Sequence, residues 1–381
     1  MKKIIASAWH PGSANSIIPV VKMLKKEKLV DVIVIAYEFS EKIFSEGEID
    51  YRTINSYNLK DISVTSMEKI LEIEKPDMVL IGTSFQDKKN KDVIEQTLTL
   101  AAREKNIKTL AVVDGWCAHL LVFNDLYNHK KLKFIPDKIA VIDKLAEKEM
   151  LDYGCKKNSL VITGNPYFDE ISSLKEKYTE KDKRKTRKNL GIGYEQYVIL
   201  YASQPIEFNY GNSLGYTEKT VLTEITDALK TLYLKKNIKK NITLIIKLHP
   251  REKKDSYRHT NKKNKFQVII IQDYPIRELI LTSDIVLGSF STVLIEAAYL
   301  NKASISVQPG LKNIKEDLLI TNKLGLTVSV HKKGQLSNLL ERMISDNHYI
   351  ERFAKKGKPF RTDSKATEKV VNLIYNMLSI Q

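Results

Sequence analysis

The chain has 381 residues, more than one hydrophobic core usually organises, so two domains are expected. Hydrophobic residues make up 43% of the sequence and charged residues 28%, which is typical of a globular protein. The apolar runs are short and β-rich, so no membrane-spanning helix is expected. The N-terminal apolar run ends at His10-Pro11-Gly12, too early for a secretory signal, and a cytoplasmic protein is therefore predicted.

The net charge of +16 favours an anionic partner such as a nucleotide, an anionic glycan, a lipid headgroup or nucleic acid. Much of the excess lies in two runs, 175–188 and 253–265, which are as typical of solvated linker and loop segments as of a binding patch. Neither run matches a recognisable nucleic-acid module with interleaved aromatic residues, and neither has a zinc-finger or RNP-type pattern. No nucleic-acid binding is therefore predicted.

The only cysteines, Cys117 and Cys155, have no spacing typical of metal ligands or of a disulfide framework. Both are expected to be buried thiols. The sequence also lacks an Asp-x-Asp motif that could hold a metal ion, so no metal site and no resident cofactor are predicted.

The first 165 residues alternate short apolar runs with amphipathic stretches, which predicts βαβ units and a mostly parallel sheet. Strands are predicted over 3–9, 31–37, 77–82, 107–113, 138–142 and 159–163. Helices are predicted over 13–26, 65–74, 90–105 and 143–153. A charged segment without apolar periodicity follows. We predict a first domain over 1–170 and a linker with a helical piece over 171–194.

A second series repeats the pattern and predicts a domain over 195–364. Its strands are predicted over 197–202, 242–248, 267–271, 284–287, 303–307 and 326–329. Its helices are predicted over 217–236, 275–282, 292–301, 313–322 and 333–345. A last helix, within 365–381, can cross back to the first domain. Open parallel sheets bind ligands beyond the carboxyl ends of their strands, so the loops after each strand are the place to seek a site.

One such loop follows the strand that ends at Gly288. Ser289, Ser291 and Thr292 form a small polar turn before a helix whose first amides have no partner within the helix. Ser291 is predicted to cap this helix, while the amides and the other two hydroxyls bind phosphate oxygens. Glu296 lies one turn further along the same face, where its carboxylate can bind ribose hydroxyls. The alternative is an ordinary helix cap with a surface glutamate.

A second apolar strand runs directly into His249-Pro250-Arg251, and the proline ends the strand. Arg251 offers a fork for phosphate oxygens, and His249 can donate a hydrogen bond or stabilise a leaving phosphate. Ser203 and Gln204, which close the first strand of the second domain, could touch the diphosphate or the donor group. The alternative for His249 is a structural histidine at a strand end.

In the first domain, Gly12 permits a tight turn between strand and helix, and Ser13 can cap the helix. The segment has the shape of a phosphate-binding loop, and Gly12 and Ser13 are predicted to bind the nucleotide sugar, although the Gly-x-Gly-x-x-Gly and Walker spacings are absent. Another strand ends at Asp114, followed by Trp116 and His119. Asp114 is the predicted general base, because activation of an acceptor needs a carboxylate or an imidazole near a hydroxyl. Trp116 can pack on a sugar or base. A capping aspartate beside a buried tryptophan is the alternative.

The sequence resembles one superfamily, the GT-B glycosyltransferases together with the nucleotide-sugar 2-epimerases. The stretch VIDKLAEKEMLDYGCKKNSLVITGNPYFDEI, residues 141–171, is similar to the end of their N-terminal domain. The His-Pro pair after a strand and the Ser-x-Ser-Thr followed by Glu-Ala are similar to their nucleotide-diphosphate site. The resemblance implies that His249 contacts the diphosphate, that Ser289, Ser291 and Thr292 hold phosphates, and that Glu296 binds ribose.

The chain departs from the epimerases at one motif, and it is also similar to two kinds of transferase. The epimerases carry His-x-Glu-Ala-Gly-Leu-Arg where this chain has Val-Asp-Gly-Trp-Cys-Ala-His, residues 113–119, so their acid/base glutamate has no counterpart. The Asp-Gly, the His-Pro and the Ser-Thr taken together are similar to bacterial sialyltransferases, although only one acidic residue precedes the glycine. The Ser-Thr turn before a helix is also similar to polyol-phosphate transferases that use CDP-glycerol.

The sequence thus predicts an α/β protein with the GT-B fold, in which two Rossmann-like domains with mostly parallel sheets face a central cleft. The predicted function is metal-independent, inverting glycosyl transfer from a nucleotide sugar to a glycan or lipid-linked acceptor, in cell-envelope polysaccharide biosynthesis. Peripheral attachment at the inner face of the membrane stays open. The alternatives are a nucleotide-sugar 2-epimerase, a sialyltransferase-like enzyme using a CMP-sugar, a CDP-glycerol-type transferase and a non-catalytic nucleotide-sugar-binding protein.

Overall fold

The computed structural model describes residues 1–86, 90–116, 119–235, 240–261, 264–313, 317, 319–356 and 363–380. The chain divides into two compact units. Unit 1 comprises Met1–Glu170 and Thr362–Gln381, and unit 2 comprises Ile171–Arg361.

Each unit is built on one parallel sheet. The strands of unit 1 are β1 Lys2–Ala8, β2 Val30–Ala36, β3 Arg52–Thr53, β4 Met78–Ile81, β5 Lys108–Val112, β6 Lys138–Val141 and β7 Leu160–Ile162. The strands of unit 2 are β8 Tyr197–Ala202, β9 Ile242–Lys247, β10 Gln267–Ile271, β11 Ile285–Gly288, β12 Ala303–Val307 and β13 Val328–Val330. Apart from β3, these strands are the apolar runs of the sequence that were predicted as strands.

The strand orders are β3-β2-β1-β4-β5-β6-β7 and β10-β9-β8-β11-β12-β13. All pairs are parallel. In each unit the chain begins at an inner strand, adds strands outward on one side, and then returns to add strands on the other side. The strand order therefore reverses once, between β1 and β4 in unit 1 and between β8 and β11 in unit 2. The carboxyl ends of strands at such a reversal flank the crevice in which open α/β sheets bind ligands.

Helices connect the strands, as parallel pairing requires. In chain order they are α1 Pro11–Glu27, α2 Phe39–Glu46, α3 Val64–Glu74, α4 Ile94–Glu104, α5 His119–Val122, α6 Lys144–Tyr153, α7 Pro166–Lys177, α8 Glu180–Asn189, α9 Ile206–Tyr210, α10 Glu218–Leu234, α11 Ile276–Thr282, α12 Thr292–Tyr299, α13 Ile320–Lys323, α14 Gln335–Ser345, α15 Asn347–Lys356 and α16 Ala366–Leu378. Three short 3₁₀ segments lie at Ile54–Tyr57, Lys157–Ser159 and Lys254–Asn261. Among the described residues, no helix is both long enough and apolar enough to span a bilayer.

The last helix, α16, completes the core of unit 1. Its buried Val370 and Ile374 belong to the same apolar cluster as Ile17 and Val21 of α1. At its start, the carboxylate of Asp169 accepts hydrogen bonds from the amides of Ala366 and Thr367, at 3.1 and 2.7 Å. Full burial of an aliphatic side chain contributes about 1.5–3 kcal/mol, so the α1–α16 contact stabilises unit 1 substantially.

Several predicted bounds were wrong. Helix α1 begins at Pro11 rather than at residue 13, because proline at the first helical position needs no amide partner and already has a helical φ. The helix predicted over 313–322 is not helical at Asn313 and begins only at Ile320, with 314–316 and 318 outside the described residues. Helix α4 begins at Ile94 rather than at residue 90. The elements β3, α2, α5, α9 and α15 were not predicted.

The segment 171–194, predicted as a linker, is mostly helical and is anchored to unit 2 by Arg187. This side chain is only 4% exposed. Its guanidinium donates to the carbonyls of Tyr194, Gln196 and Thr282 at 2.6, 2.9 and 3.1 Å. It also pairs with Asp284, whose carboxylate oxygen lies 3.2 Å away. The charged segment therefore packs as part of the domain that follows it.

Replacing Arg187 by leucine is expected to lower the free energy of unfolding of unit 2 by about 3 kcal/mol, because buried carbonyls lose a charged donor. Arg184 lies one turn earlier on the same helix, is exposed, and only covers the ring of Tyr194. The matched Arg184→Leu variant is expected to lose less than about 1 kcal/mol. Urea unfolding of both variants measures the difference, and equal losses would contradict this role for Arg187.

Candidate functional site

In unit 2, His249 lies two residues after the end of strand β9, at the carboxyl edge of the sheet. The imidazole Nδ1 accepts a hydrogen bond from the amide of Arg251 at 3.2 Å. In a neutral imidazole the proton must then sit on Nε2. Partial burial lowers the pKa of His249, and Arg251 and Lys247 lower it further, whereas Glu252 opposes the shift. His249 is therefore a neutral ring at pH 7 that offers the Nε2 proton to an acceptor.

Glu252 joins the loops after β8 and β9, and the sequence analysis missed it. One of its carboxylate oxygens accepts from the amide of His249 at 2.8 Å. The other accepts from the hydroxyl of Ser203 at 2.8 Å and from that of Tyr257. Three donors on one carboxylate hold the His249 turn in place. The only sign of this role in the sequence was the position of Glu252, three residues after His249. A carboxylate at that spacing can accept a hydrogen bond from the backbone amide of the earlier residue.

Two residues predicted to touch the donor instead support the loops. Ser203 is buried, and its hydroxyl proton is directed to Glu252 rather than to a ligand. Gln204 accepts a hydrogen bond from the amide of Phe290 at 3.1 Å, which ties the loop after β8 to the loop after β11. Hydrogen bonds between side chains and backbone thus join the loops at the strand reversal of unit 2.

The turn between β11 and α12 has the predicted helix cap. Ser291 is the N-cap of α12, and its hydroxyl oxygen accepts from the amide of Val293 at 3.2 Å. Its own proton stays available to a phosphate oxygen. Thr292 is exposed at the first helical position, where an amide has no partner within the helix. Partial positive charge at a helix N-terminus favours an anion here.

Ser289 differs from the prediction that it holds a phosphate. It is 1% exposed, and its hydroxyl donates to the carbonyl of Val307 at 3.1 Å. A phosphate only accepts hydrogen bonds, and this hydroxyl has no second proton to give. Ser289 therefore links β11 to β12. Behind it, Gln308 accepts from the hydroxyl of Tyr216 at 2.9 Å and so fixes the loop after β12.

Glu296 lies on α12, and a basic side chain is close to its carboxylate. The Nε of Arg277 lies 3.3 Å from its Oε2, and Glu296 is 5% exposed. The pair connects α11 with α12. The role of Glu296 in binding ribose stays a prediction.

Arg251 lies on the opposite flank of the His249 turn. It is exposed and lines a cavity of about 560 Å³ between the loops after β8 and β9 and one face of α10. The cavity is also lined by Glu207, Phe208 and Lys219. His249, Ser291 and Glu296 do not line it. The guanidinium of Arg251 can therefore bind an anionic group of a ligand that occupies this cavity.

In unit 1, the buried carboxylate of Glu95 organises the loops after β1 and β4. One oxygen accepts from the amide of Trp9 at 2.9 Å and from the hydroxyls of Ser13 and Ser84 at 3.0 and 2.6 Å. Burial raises the pKa of Glu95, and these hydrogen bonds oppose the shift. Ser13 therefore lies inside α1 with its hydroxyl proton occupied, whereas it was predicted to cap the helix and to bind the donor. His10 is the N-cap.

Asp114 follows β5, at the edge where β1 and β4 also end. The hydroxyl of Thr83 donates to one of its oxygens at 3.0 Å. Burial raises the pKa of Asp114 to about 6, although the Thr83 hydrogen bond opposes the shift. The other oxygen lies 2.5 Å from the point where a β-carbon on Gly12 would sit. A side chain at position 12 would therefore displace the Asp114 carboxylate, and binding of the donor by Gly12 stays a prediction. Asp114 has the pKa of a base that works near neutrality.

Trp116 differs from the prediction that it packs on a ligand. It is buried, stacks on Phe168 with centroids 6.2 Å apart, and donates from its indole nitrogen to Asp143 at 3.0 Å. Cys117 and the side chain of His119 lie outside the described residues. Cys155 is a free, buried thiol, and burial raises its pKa to about 11. Within the described part of the chain, no three histidine, cysteine or acidic side chains are grouped to bind a metal ion.

Solved structures with the same fold cover the whole chain. MnaA of S. aureus, solved with UDP, is 19% identical, with a TM-score of 0.69 over 100% of this chain and 98% of that one. The UDP-GlcNAc 2-epimerase of Neisseria meningitidis is 17% identical, with a TM-score of 0.71 over 98% and 100%. MurG of Acinetobacter baumannii is 14% identical, with a TM-score of 0.63 over 99% and 100%. The predicted GT-B class, with two Rossmann-like parallel sheets, is confirmed.

Sequence comparison adds the family. No curated protein sequence matches the chain. The family model for CDP-glycerol:poly(glycerophosphate) glycerophosphotransferases matches residues 145–376. The match spans well over half of the chain and includes the turns of His249 and Ser291 together with Glu252. The GT-B protein described here therefore belongs to the CDP-glycerol:poly(glycerophosphate) glycerophosphotransferase family.

Proposed function

We propose that the protein transfers a polyol phosphate from a CDP-activated donor to an acceptor hydroxyl during the assembly of a cell-envelope polymer. The observation that carries the proposal is the His249 turn. Glu252 holds this turn so that a neutral imidazole offers its Nε2 proton at the carboxyl edge of a sheet that the CDP-glycerol transferase family model covers. Ser291 and the first amides of α12 supply further donors at the same edge of the sheet.

The reaction is a single displacement. The acceptor oxygen forms a bond to the β-phosphorus of the donor, the bond from that phosphorus to the bridging oxygen breaks, and CMP leaves. Asp114 takes the acceptor proton, for which a pKa of about 6 suits it. His249 and the N-terminus of α12 stabilise the charge that develops on the departing phosphate.

Two other activities have support from the fold. Nucleotide-sugar glycosyl transfer would use the same base and the same phosphate donors, but attack would fall on the anomeric carbon. Epimerisation of a nucleotide sugar is favoured by the likeness to UDP-GlcNAc 2-epimerases over the whole chain. An epimerase converts nucleotide sugar with no acceptor present, whereas both transferases release free nucleotide only when an acceptor is added. Incubation of CDP-glycerol, UDP-GlcNAc and CMP-sialic acid with and without acceptor separates the three.

Binding of CDP is expected to raise the unfolding temperature, because a ligand of the native state alone adds about 2.7 kcal/mol of stability at 100 times its Kd. For a unit of this size the shift is roughly 5 °C or more. A thermal-shift series with CDP, CMP, UDP, GDP and dTDP measures it.

The CDP shift should largely disappear in His249→Ala. It should persist in His348→Ala, which removes an imidazole that is 91% exposed. A larger shift with UDP would move the assignment to nucleotide-sugar chemistry. No shift with any of the five nucleotides would reject a nucleotide-diphosphate donor altogether.

A further inference from the structure

The loops after β1, β2 and β4 of unit 1 carry a cluster of aromatic rings that the site described above does not use. Trp9 is buried, and His10 stacks on it with centroids 4.5 Å apart and planes 24° apart. Phe39 lies 6.4 Å from His10, and Phe85 meets His10 edge-on at 5.7 Å. Tyr37 lies 6.3 Å from Trp9. We call these five residues the aromatic platform.

One member of the platform, Phe39, is exposed to solvent. Phe39 is 51% exposed at the first position of α2. Exposed apolar area costs roughly 25 cal/mol per Å², so a half-exposed phenylalanine beside four other rings calls for an explanation. Docking of another protein is a poor explanation, since a stable interface needs about 800 Å² from each partner, far more than one half-exposed ring offers. The exposed surface suits a small flat ligand.

The platform is held rigidly, at a cost in backbone strain. Glu38, directly before Phe39, has φ 50° and ψ −108°, a conformation that is unfavourable for a residue with a side chain. It is kept there because its carboxylate accepts from the indole nitrogen of Trp9 at 3.0 Å and caps α2. On the other side, Ser84 accepts from the amide of His10 at 3.1 Å. A rigid apolar face loses little entropy on binding.

The platform also adjoins the proposed base. His10 is the N-cap of α1 and Gly12 lies in the first turn of that helix, and the Asp114 carboxylate lies against Gly12. A ligand on the rings of His10 and Phe39 would therefore lie beside the helix start against which this carboxylate, with its pKa of about 6, packs. Glu38, which is exposed at the far side, can accept hydrogen bonds from further hydroxyls.

We propose that the aromatic platform binds a pyranose ring of the acceptor, with the C–H face of the sugar stacked on Phe39 and His10. A pyranose presents an apolar face of axial hydrogens to the negative face of an aromatic ring and a rim of hydroxyls to carboxylates. A glycerol phosphate unit has no such face. The inference rests on the proposed function, because the bound sugar is the acceptor, and it makes that acceptor a sugar-terminated one.

Saturation-transfer NMR of the full-length protein with methyl β-glucopyranoside and methyl N-acetyl-β-glucosaminide tests the platform directly. The ring-face protons of the glycoside should receive the strongest saturation. Phe39→Leu, which keeps an apolar residue at the start of α2 but removes the ring, should weaken binding about five- to tenfold. Phe39→Trp should restore it. The control is Ile73→Ala, which alters a side chain that is 60% exposed at the end of α3 and should bind as the parent does.

The outcomes separate the two proposals. Unchanged glycoside binding in Phe39→Leu, or binding of glycerol 1-phosphate in preference to both glycosides, would overturn the platform whatever the nucleotides do. Glycoside binding that depends on Phe39 in a protein with no thermal shift from any nucleotide would keep the platform and reject the proposed transferase. In an active enzyme, Phe39→Leu should raise the KM for a sugar-terminated acceptor about five- to tenfold and leave the KM for the donor unchanged.

Discussion

Replacing Asp114 by asparagine is expected to abolish transfer and, at the same time, to make unit 1 more stable at pH 7. Loss of a general base typically lowers the rate by a factor of about 10²–10⁴. The gain in stability arises because burial raises the pKa of Asp114 from 3.8 to about 6, so folding at neutral pH includes the cost of holding a charged carboxylate away from water. Asparagine fills the same space and still accepts the hydrogen bond from Thr83.

The sign of the stability effect depends on pH. A carboxyl group whose pKa is higher in the folded state binds its proton more tightly there, so ionisation disfavours folding. The cost is absent below pH 3.8, grows between pH 3.8 and about 6, and is constant above that. It is on the order of 3 kcal/mol for such a shift. The gain of Asp114→Asn should follow the same curve, full at pH 7 and gone at pH 3.5.

Differential scanning calorimetry at several pH values and an acceptor-dependent transfer assay measure the two effects. Donor binding should be nearly unchanged. Thr83→Val is the matched comparison, because it removes the hydrogen bond that favours the ionised carboxylate while leaving the carboxylate itself. It should move the acid limb of the pH–rate profile above pH 6 and keep measurable activity. Strong residual transfer in Asp114→Asn would show that another group takes the acceptor proton.

Replacing His249 by alanine is expected to lower kcat by a factor of about 10²–10³, the usual effect of losing one donor to a developing oxyanion. His249→Gln should retain part of the activity, since its amide nitrogen can occupy the position of Nε2 and has protons to donate. Because burial lowers the pKa of His249, the neutral ring is the active form, and activity should not fall as the pH rises from 6.5 to 8.

Steady-state kinetics of the two His249 variants, with His348→Ala as an exposed control, test this assignment. A loss of activity in the parent enzyme as the pH rises through 6.5 would mean that the charged imidazolium is required. Equal loss in the alanine and glutamine variants would mean that the shape of the ring matters more than its proton.

The sheets could be predicted because their strands are continuous apolar runs, the pattern of parallel strands covered on both faces. Asp114 and His249 were placed at strand ends for the same reason. The helix α2 was missed because it begins after an unusual backbone conformation at Glu38, and no pattern of residue types reveals such a conformation.

The fate of individual hydroxyls could not be predicted. Ser13 lies in the first turn of α1 and Ser289 in the loop after β11, yet their protons go to Glu95 and to the carbonyl of Val307. Glu95 is 86 residues from Trp9 in the sequence, and Glu252 is 49 residues from Ser203. A carboxylate that organises loops so far apart is visible only once the strands lie side by side.

The packing of α16 against α1 also constrains the order in which the protein matures. Unit 1 contains residues that are made before unit 2, but its last helix is made only after the whole of unit 2. Until then, Ile17 and Val21 of α1 lack the apolar partners that cover them in the finished protein. Unit 2, a continuous stretch of chain, has no such dependence. The N-terminal unit is therefore completed after the C-terminal one, opposite to the usual order of folding during synthesis.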